Sequence, residues 1–184
     1  MNEVFVRFKS LNWFFVALVF FLSFVGFVMI YSATSGMEYD ILFSHILKIF
    51  FGFLLMLLVG IIDIDFWKKN AFYFYILCLI LLFWASLYGY IGKGSRRWIN
   101  FYGFFFQPSE LMKICIILAL AKFFDEKKIK DTKDYFFLIL PITMVVIPFF
   151  LILSQPDLGT ASIFLFICFI VFFLAGLSWK FFMS

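Results

Sequence analysis

The chain has 184 residues, of which 66% are hydrophobic, 25% are aromatic and only 14% are charged. Soluble domains contain about 45–50% apolar and about 25% charged residues, so this composition excludes a soluble globular protein. It predicts an all-α polytopic membrane protein, because long apolar runs cross lipid as helices. The net charge of +4 lies in short segments between apolar runs, where it reports topology and gives no reason to expect a nucleic-acid partner.

Six apolar segments approach the length of about 20 residues that a membrane-spanning helix needs. In chain order they are residues 11–31, 41–62, 71–91, 108–124, 135–154 and 158–177. The first segment is longer than the core of about 7–15 residues found in a cleaved signal peptide, so we expect it to be retained. Together the segments predict a single integral membrane domain over residues 1–184.

Lysine and arginine residues predict the orientation of these spans. With a cytoplasmic N-terminus, ten of them lie inside and four lie outside. The inner residues are Arg7, Lys9, Lys68, Lys69, Lys122, Lys127, Lys128, Lys130, Lys133 and Lys180, and the outer residues are Lys48, Lys93, Arg96 and Arg97. The positive-inside rule therefore places the N-terminus in the cytoplasm and the segment 92–107 on the outer side.

The outer segment 92–107 is basic, against the trend of the chain. Arg96 and Arg97 carry guanidinium groups that could hold phosphate oxygens in a bidentate manner. Trp98 follows them and suits the headgroup level of a membrane. Gly92 and Gly94 permit tight turns. The pattern is compatible with ordinary binding to lipid headgroups and with recognition of an anionic substrate.

The predicted helix 108–124 begins with Pro108, which suits the first position of a helix. Glu110 lies in its first turn, where a negative charge meets the positive end of the helix dipole. Lys113 is three residues further on, so the two side chains share a face and can form an ion pair. Such a pair could lock two helices together or line a substrate cavity, because ionisable groups at membrane depth usually face protein or water.

A short polar turn separates the last two predicted spans. It reads Ser154-Gln-Pro-Asp-Leu-Gly-Thr160. We expect Asp157 to lie at the outer membrane face, either as a helix N-cap or as a ligand for a cation or an arginine. No metal site is predicted, because Cys78, Cys115 and Cys168 lie inside apolar runs and the chain has a single histidine.

Three motifs give the chain a resemblance to a known family. They are Gly92-Lys-Gly-Ser-Arg-Arg-Trp-Ile99, Phe106-Gln-Pro-Ser-Glu-Leu-Met-Lys113 and Gln155-Pro-Asp-Leu-Gly-Thr160. In this order they resemble the SEDS family of shape, elongation, division and sporulation proteins. The segment Ala175-Gly-Leu-Ser-Trp-Lys180 resembles the rod-shape (RodA) branch of the family more than the division (FtsW) branch. The resemblance covers essentially the whole chain.

The resemblance implies a peptidoglycan glycosyltransferase of the bacterial inner membrane. Such a protein polymerises lipid II and works beside a class B penicillin-binding protein. By resemblance, the residues that contact substrate are Arg96, Arg97, Trp98, Gln107, Ser109, Glu110, Lys113 and Asp157. The structural motif positions are Gly92, Gly94, Pro108, Pro156, Gly159 and Thr160. No cofactor is predicted, although a divalent cation is conceivable in the full-length enzyme.

Family members resemble a ten-helix protein roughly twice as long, whose proposed catalytic aspartate lies in the second half. We therefore expect this chain to correspond to the N-terminal half, to contain no catalytic residue and to be inactive by itself. Two alternatives remain open. The fold could translocate lipid II without covalent chemistry, or it could serve as a non-catalytic scaffold of the elongation machinery. A role in division is a further possibility within the family.

Overall fold

The computed structural model describes residues 3–34, 39–92, 95–101, 104–126 and 136–177. In these ranges the chain forms seven α-helices and one three-stranded antiparallel sheet. The helices are α1 (Glu3–Ser10), α2 (Trp13–Ala33), α3 (Tyr39–Ile61), α4 (Ile64–Tyr88), α5 (Pro108–Glu126), α6 (Phe136–Leu153) and α7 (Leu158–Leu174). The strands are β1 (Tyr90–Gly92), β2 (Ser95–Phe101) and β3 (Phe104–Phe106). The predicted helical fold class is confirmed, and the small sheet is a feature that the sequence did not predict.

The chain divides into two compact units, Met1–Ile64 and Asp65–Ser184. In the first unit α2 and α3 enclose an apolar cavity of about 600 Å³, lined mainly by phenylalanine and leucine or isoleucine. An ion pair between Arg7 and Asp63 joins α1 to residues 62–63, which directly follow α3. No residue of α2 is buried. Apolar side chains exposed along an entire helix are typical of a surface that faces lipid or a further protein segment.

The second unit contains a packed core formed by α4, α5, α6 and α7. Leu82, Met112, Ile116, Ile152 and Phe164 are completely buried in it. The three cysteines are reduced and buried, as expected of small apolar residues. The hydroxyl of Tyr75 donates a 2.9 Å hydrogen bond to the backbone oxygen of Met144, which joins α4 to α6 inside the core. This core supports the ends of the helices at which the predicted site residues lie.

Local sequence signals explain where several helices begin and end. Asn12 caps α2 by accepting a 3.2 Å hydrogen bond from the backbone nitrogen of Phe15. Pro108 is the first residue of α5, as predicted. Gly176 follows α7 with a φ of +92° and donates a backbone hydrogen bond to the oxygen of Phe173, the arrangement that favours glycine after a helix.

The helix at the third apolar segment has bounds that differ from the predicted span. The segment was predicted over 71–91, whereas α4 begins at Ile64 and ends at Tyr88. Asp65, Lys68 and Lys69 thus lie in the first turns of this helix, and Tyr90 already belongs to β1. A negative charge in a first turn is favourable, as at Asp65, and the exposed Lys68 pairs with Asp125 of α5.

Each predicted span coincides with a helix, but the helices differ in length and polarity. Among the described residues, three stretches are long and apolar enough to cross a membrane, at Trp13–Ala33, Ile41–Ile61 and Ile64–Tyr88. Two shorter apolar helices cover Phe137–Leu153 and Leu158–Leu174. The chain is thus a multi-pass membrane protein. That all six segments cross the bilayer within a single domain remains a prediction.

Core packing in the second unit predicts the effect of shortening a buried ring. Phe164→Ala should lower the free energy of unfolding in detergent micelles by about 2 kcal/mol, the cost expected for a cavity of about 100 Å³. The hydrophobic free energy of burying the ring adds little to this value, because the side chains of the unfolded chain also remain in the apolar interior of the micelle. Thermal unfolding followed by circular dichroism measures the change. Phe166→Ala is the matched control, because this ring on the same helix is 64% exposed. Equal losses would contradict the assignment of Phe164 to the core.

Candidate functional site

The segment that was predicted as an outer loop folds into the small sheet. Strand β2 pairs with β1 on one side and with β3 on the other, both antiparallel. Gly92 and Ser95 face each other at the end of the first hairpin. Lys93 and Gly94 lie between them, outside the described residues, so the predicted role of Gly94 in this turn stays a prediction. Both arginines belong to β2, at an irregularity of its ladder with β1.

The carboxylate of Asp157 collects hydrogen bonds from three different parts of the chain. Its Oδ2 accepts a bond of 2.8 Å from the guanidinium of Arg97 on β2 and one of 3.3 Å from the Gln107 amide before α5. Its Oδ1 accepts a 3.1 Å bond from the backbone nitrogen of Thr160 and so caps α7. We call these four residues the Asp157 cluster. Asp157 is both a helix cap and an arginine partner, which were the two expected roles.

The Asp157 side chain is only 10% exposed and that of Arg97 is 25% exposed. Burial acts to raise the pKa of the Asp157 carboxyl, but the hydrogen bonds from Thr160 and the charge of Arg97 outweigh it. The pKa therefore lies below its ordinary value, and the carboxylate is ionised at neutral pH. Arg97 and Asp157 therefore form a largely buried ion pair, and the negatively charged Asp157 does not bind an anion itself.

The turn before Asp157 is attached to α4. The Gln155 amide is buried and donates a 3.2 Å hydrogen bond to the backbone oxygen of Leu82. The hydroxyls of Ser154 and Ser86 lie 3.3 Å apart. Sequence reasoning did not single out Gln155, although a glutamine that ends a long apolar run is a signal that a backbone group nearby needs a partner.

The remaining residues of this motif surround the turn. Pro156 is exposed, and Gly159 is an exposed residue in the first turn of α7. Thr160 hydrogen-bonds to Asp157 through both its backbone nitrogen and its side chain. These residues shape the start of α7.

Glu110 and Lys113 form the predicted ion pair on α5, with 2.9 Å between Nζ and Oε1. The Lys113 side chain is 17% exposed and that of Glu110 is 56% exposed. Pro108 and Ser109 are buried beside them, and the Ser109 hydroxyl accepts a 3.0 Å hydrogen bond from the Gln107 amide. Gln107 thus connects the start of α5 to the Asp157 cluster, while the Glu110 carboxylate remains accessible.

Arg96 and Trp98 do not join the Asp157 cluster. Arg96 is exposed and donates a 3.2 Å hydrogen bond to the backbone oxygen of Leu87 at the end of α4. The two neighbouring arginines, whose guanidinium groups were expected to suit phosphate oxygens, therefore have different partners. The ladder between β1 and β2 is irregular at this point, since Ile91 pairs with Arg96 and Tyr90 with Trp98, and the register skips Arg97. A guanidinium has five N–H donors, so Arg96 keeps donors for a further acceptor.

Comparison with known proteins agrees with this arrangement of motifs. The model of a cell cycle protein family that includes FtsW, RodA and SpoVE matches residues 11–184. The chain belongs to this family.

Several curated proteins are similar to this chain in sequence. Peptidoglycan glycosyltransferase MrdB of Escherichia coli (strain K12) is 32% identical over 162 residues, which are 83% of this chain and 42% of MrdB. Stage V sporulation protein E of Bacillus subtilis (strain 168) is 30% identical over 161 residues, covering 83% of this chain and 44% of that protein. The chain therefore spans less than half the length of these curated relatives.

Solved structures show the same FtsW/RodA/SpoVE fold. The crystal structure of the rod shape determining protein RodA of Thermus thermophilus matches with a TM-score of 0.81 and 32% identity, over 95% of this chain and 56% of that one. A chain from a peptidoglycan synthase complex, solved in work on the coordination of polymerization and crosslinking, matches with a TM-score of 0.82 and 32% identity. That match covers 95% of this chain and 50% of the other.

The arrangement can bind and orient a polar ligand. It offers an accessible carboxylate at Glu110, a nearby ammonium at Lys113 and an exposed guanidinium at Arg96, beside a neutralised Arg97–Asp157 pair. Within the described residues, no three His, Cys, Asp or Glu side chains gather closely enough to hold a metal ion. That the chain needs no cofactor remains a prediction.

The Arg97–Asp157 bond predicts a coupling free energy between these two residues. A double-mutant cycle of Arg97→Gln and Asp157→Asn should give about 1–2 kcal/mol, because the pair is largely buried while asparagine preserves the N-cap. Thermal unfolding of the four proteins in micelles measures it. The control cycle pairs Arg96→Gln with Asp157→Asn and should give less than about 0.5 kcal/mol. Equal coupling in both cycles would contradict the described geometry.

The lowered pKa of Asp157 predicts how the stability of the chain depends on pH. A group whose pKa is lower in the folded state adds stability above its unfolded pKa, about 3.9 for aspartate, and this is lost as the pH falls through the folded pKa. The difference in unfolding temperature between wild type and Asp157→Asn should be constant from pH 7 to 5 and should shrink below about pH 4. A difference that changes between pH 7 and 5 would argue for a raised pKa instead.

Proposed function

We propose that this chain is the N-terminal part of a peptidoglycan polymerase, which holds lipid II at the outer face of the bacterial inner membrane. The observation that carries the proposal is the meeting of three motifs of the FtsW/RodA/SpoVE family at one point. Arg97 and Gln107, from the first and second motifs, both donate hydrogen bonds to Asp157 of the third. The name of MrdB, a peptidoglycan glycosyltransferase, supports the assignment of the reaction.

Within this site the residues have different tasks. The Asp157 cluster is a rigid link that fixes β2 against the starts of α5 and α7. Glu110, Lys113 and Arg96 are the groups that meet the substrate. A lipid-linked pyrophosphate brings negative charge, for which Arg96 and Lys113 supply hydrogen-bond donors. It also brings sugar hydroxyls, from which the Glu110 carboxylate can accept hydrogen bonds. These residues bind and orient the substrate, and the group that removes a proton from the acceptor lies in the part of the family fold beyond this chain.

The proposal includes an orientation and a partner. Most lysine and arginine residues lie in segments on the same side of the predicted spans as the N-terminus. By the positive-inside rule, this supports a cytoplasmic N-terminus and an outer position for the sheet. The similarity to a chain of a peptidoglycan synthase complex supports a class B penicillin-binding protein as partner. Its transpeptidase would cross-link strands as they are polymerised.

The proposal is tested by polymerisation of purified lipid II. A full-length protein that carries residues 1–184 should extend glycan strands, whereas the 184-residue chain by itself should not. Strand synthesis by the short chain would contradict the need for the remaining part. Transport of labelled lipid II across liposomes by the full-length protein without any polymerisation would contradict the enzymatic assignment and support a translocase.

Glu110 gives the sharper test. In the full-length protein, Glu110→Ala should lower the polymerisation rate at least tenfold, a loss of about 1.4 kcal/mol in the transition state. Glu126→Ala is a closely matched control, because Glu126 lies on the same helix, pairs with Lys122 and is 54% exposed against 56% for Glu110. The control should keep the wild-type rate. If both variants lose the same amount of activity, Glu110 has no special part in substrate binding.

A further inference from the structure

A cleft lined by aromatic rings lies beside the Asp157 cluster, on the other side of β2. It has a volume of about 280 Å³. Its lining includes Trp84 and Tyr88 of α4, Tyr90 of β1, and Trp98 and Asn100 of β2. We call it the aromatic cleft. None of its described lining residues is charged, although the sheet that forms half of it carries two arginines.

The fold constructs this cleft at the point where α4 ends. Gly89 connects α4 to β1, and a Cβ atom there would lie 2.3 Å from the Ala85 oxygen and 3.3 Å from the Trp98 oxygen. Only glycine fits here, because a side chain would collide with the last turn of α4, while the contact with β2 would be tight. The pairing of Tyr90 with Trp98, next to an irregularity in the ladder, then brings the strand residues against the helix end. The cleft is part of the architecture and does not depend on one flexible side chain.

Strand β2 takes part in both sites. Arg97 bonds to Asp157, whereas the three residues that follow it, Trp98, Ile99 and Asn100, line the aromatic cleft. The ladder between β1 and β2 is irregular here, because Tyr90 pairs with Trp98 and Ile91 with Arg96, so that the register skips Arg97. The Arg96 guanidinium donates to the Leu87 oxygen and does not line the cleft. A single strand thus carries a charged contact and, directly after it, residues of a neutral cleft.

The chemistry of the lining selects a class of ligand. A phosphate or carboxylate is held best by cationic donors, and none of the lining side chains is cationic. A neutral ring with C–H faces and hydroxyl edges, such as a pyranose, can stack on aromatic faces and hydrogen-bond at its rim. The centroids of the Trp84 and Tyr88 rings lie 4.8 Å apart, and both side chains are largely exposed.

The size of the cleft also limits the ligand. Pockets for drug-sized ligands have volumes of about 300–1,000 Å³, so a cleft at the lower end accommodates one ring rather than a longer chain. A membrane-interface belt would also use tryptophan and tyrosine. Such a belt requires only outward-facing rings, whereas here rings from a helix and two strands converge on one concavity.

We infer that the aromatic cleft binds one sugar ring of a glycan, of the N-acetylated amino sugar class. The choice of N-acetylated amino sugars rests on the proposed function, because the relative MrdB is named a peptidoglycan glycosyltransferase. The existence of a site for a neutral ring rests on the cleft alone.

The test is direct binding of a soluble probe to the 184-residue chain in detergent micelles. N-acetylchitotetraose is added, and saturation-transfer difference NMR reports which sugar protons contact the protein. Saturation should appear on the ring and acetamido protons. Tyr88→Ala and Trp84→Ala should each weaken binding about fivefold, as expected for the loss of one stacked ring. Tyr73→Ala is the control, since this tyrosine of α4 is 74% exposed, like Tyr88 at 70%, but lies outside the cleft.

Circular dichroism and gel filtration verify that every variant is folded. Absence of saturation transfer to N-acetylchitotetraose would overturn the inference, as would unchanged binding by Tyr88→Ala and Trp84→Ala. Equal binding of maltotetraose, which lacks acetamido groups, would overturn the assignment to amino sugars. The assay involves no polymerisation, so a chain that binds the probe through these rings would leave the inference intact even if the full-length protein made no glycan.

Discussion

The arrangement of the outer site depends on one buried carboxylate. Asp157 receives hydrogen bonds from β2, from the residue before α5 and from the first turn of α7. A carboxylate can accept this many donors because it has two oxygens with about four lone-pair directions. Removing one partner would leave a buried charge without compensation, which is more costly than the loss of an exposed ion pair. The cluster therefore links β2, the start of α5 and the start of α7, which come from different parts of the chain.

This link separates residues that hold the scaffold from residues that stay accessible. Arg97 and Asp157 neutralise each other and are largely buried, while Glu110 keeps more than half of its side chain exposed. Strand β2 also contributes to the aromatic cleft through Trp98, the residue after Arg97. Two neighbouring residues of one strand thereby belong to surroundings of different chemistry.

Much of the fold could be predicted from the sequence because an apolar run of about 20 residues has few alternatives in lipid. The helix positions, the first residue of α5, the Glu110–Lys113 pair and the double role of Asp157 all followed from local spacing. The sheet did not, since strand pairing depends on partners and not on local pattern alone. For the same reason the sequence could not tell which of Arg96 and Arg97 reaches Asp157. Gln155 was missed because the carbonyl that it satisfies, on Leu82, belongs to a distant helix.

The composition of α5 has a consequence for how the protein is made. This helix carries Glu110 and Lys113 near its start and Lys122 near its end, and it does not qualify as a long apolar span. A charge costs about 2.5–3.5 kcal/mol when a helix enters the membrane from the translocon, although groups near the helix ends cost less. The helix that carries Glu110 and Lys113 is thus less apolar than the long spans. If α5 crosses the bilayer as predicted, its insertion depends on α6 and α7, which pack against it.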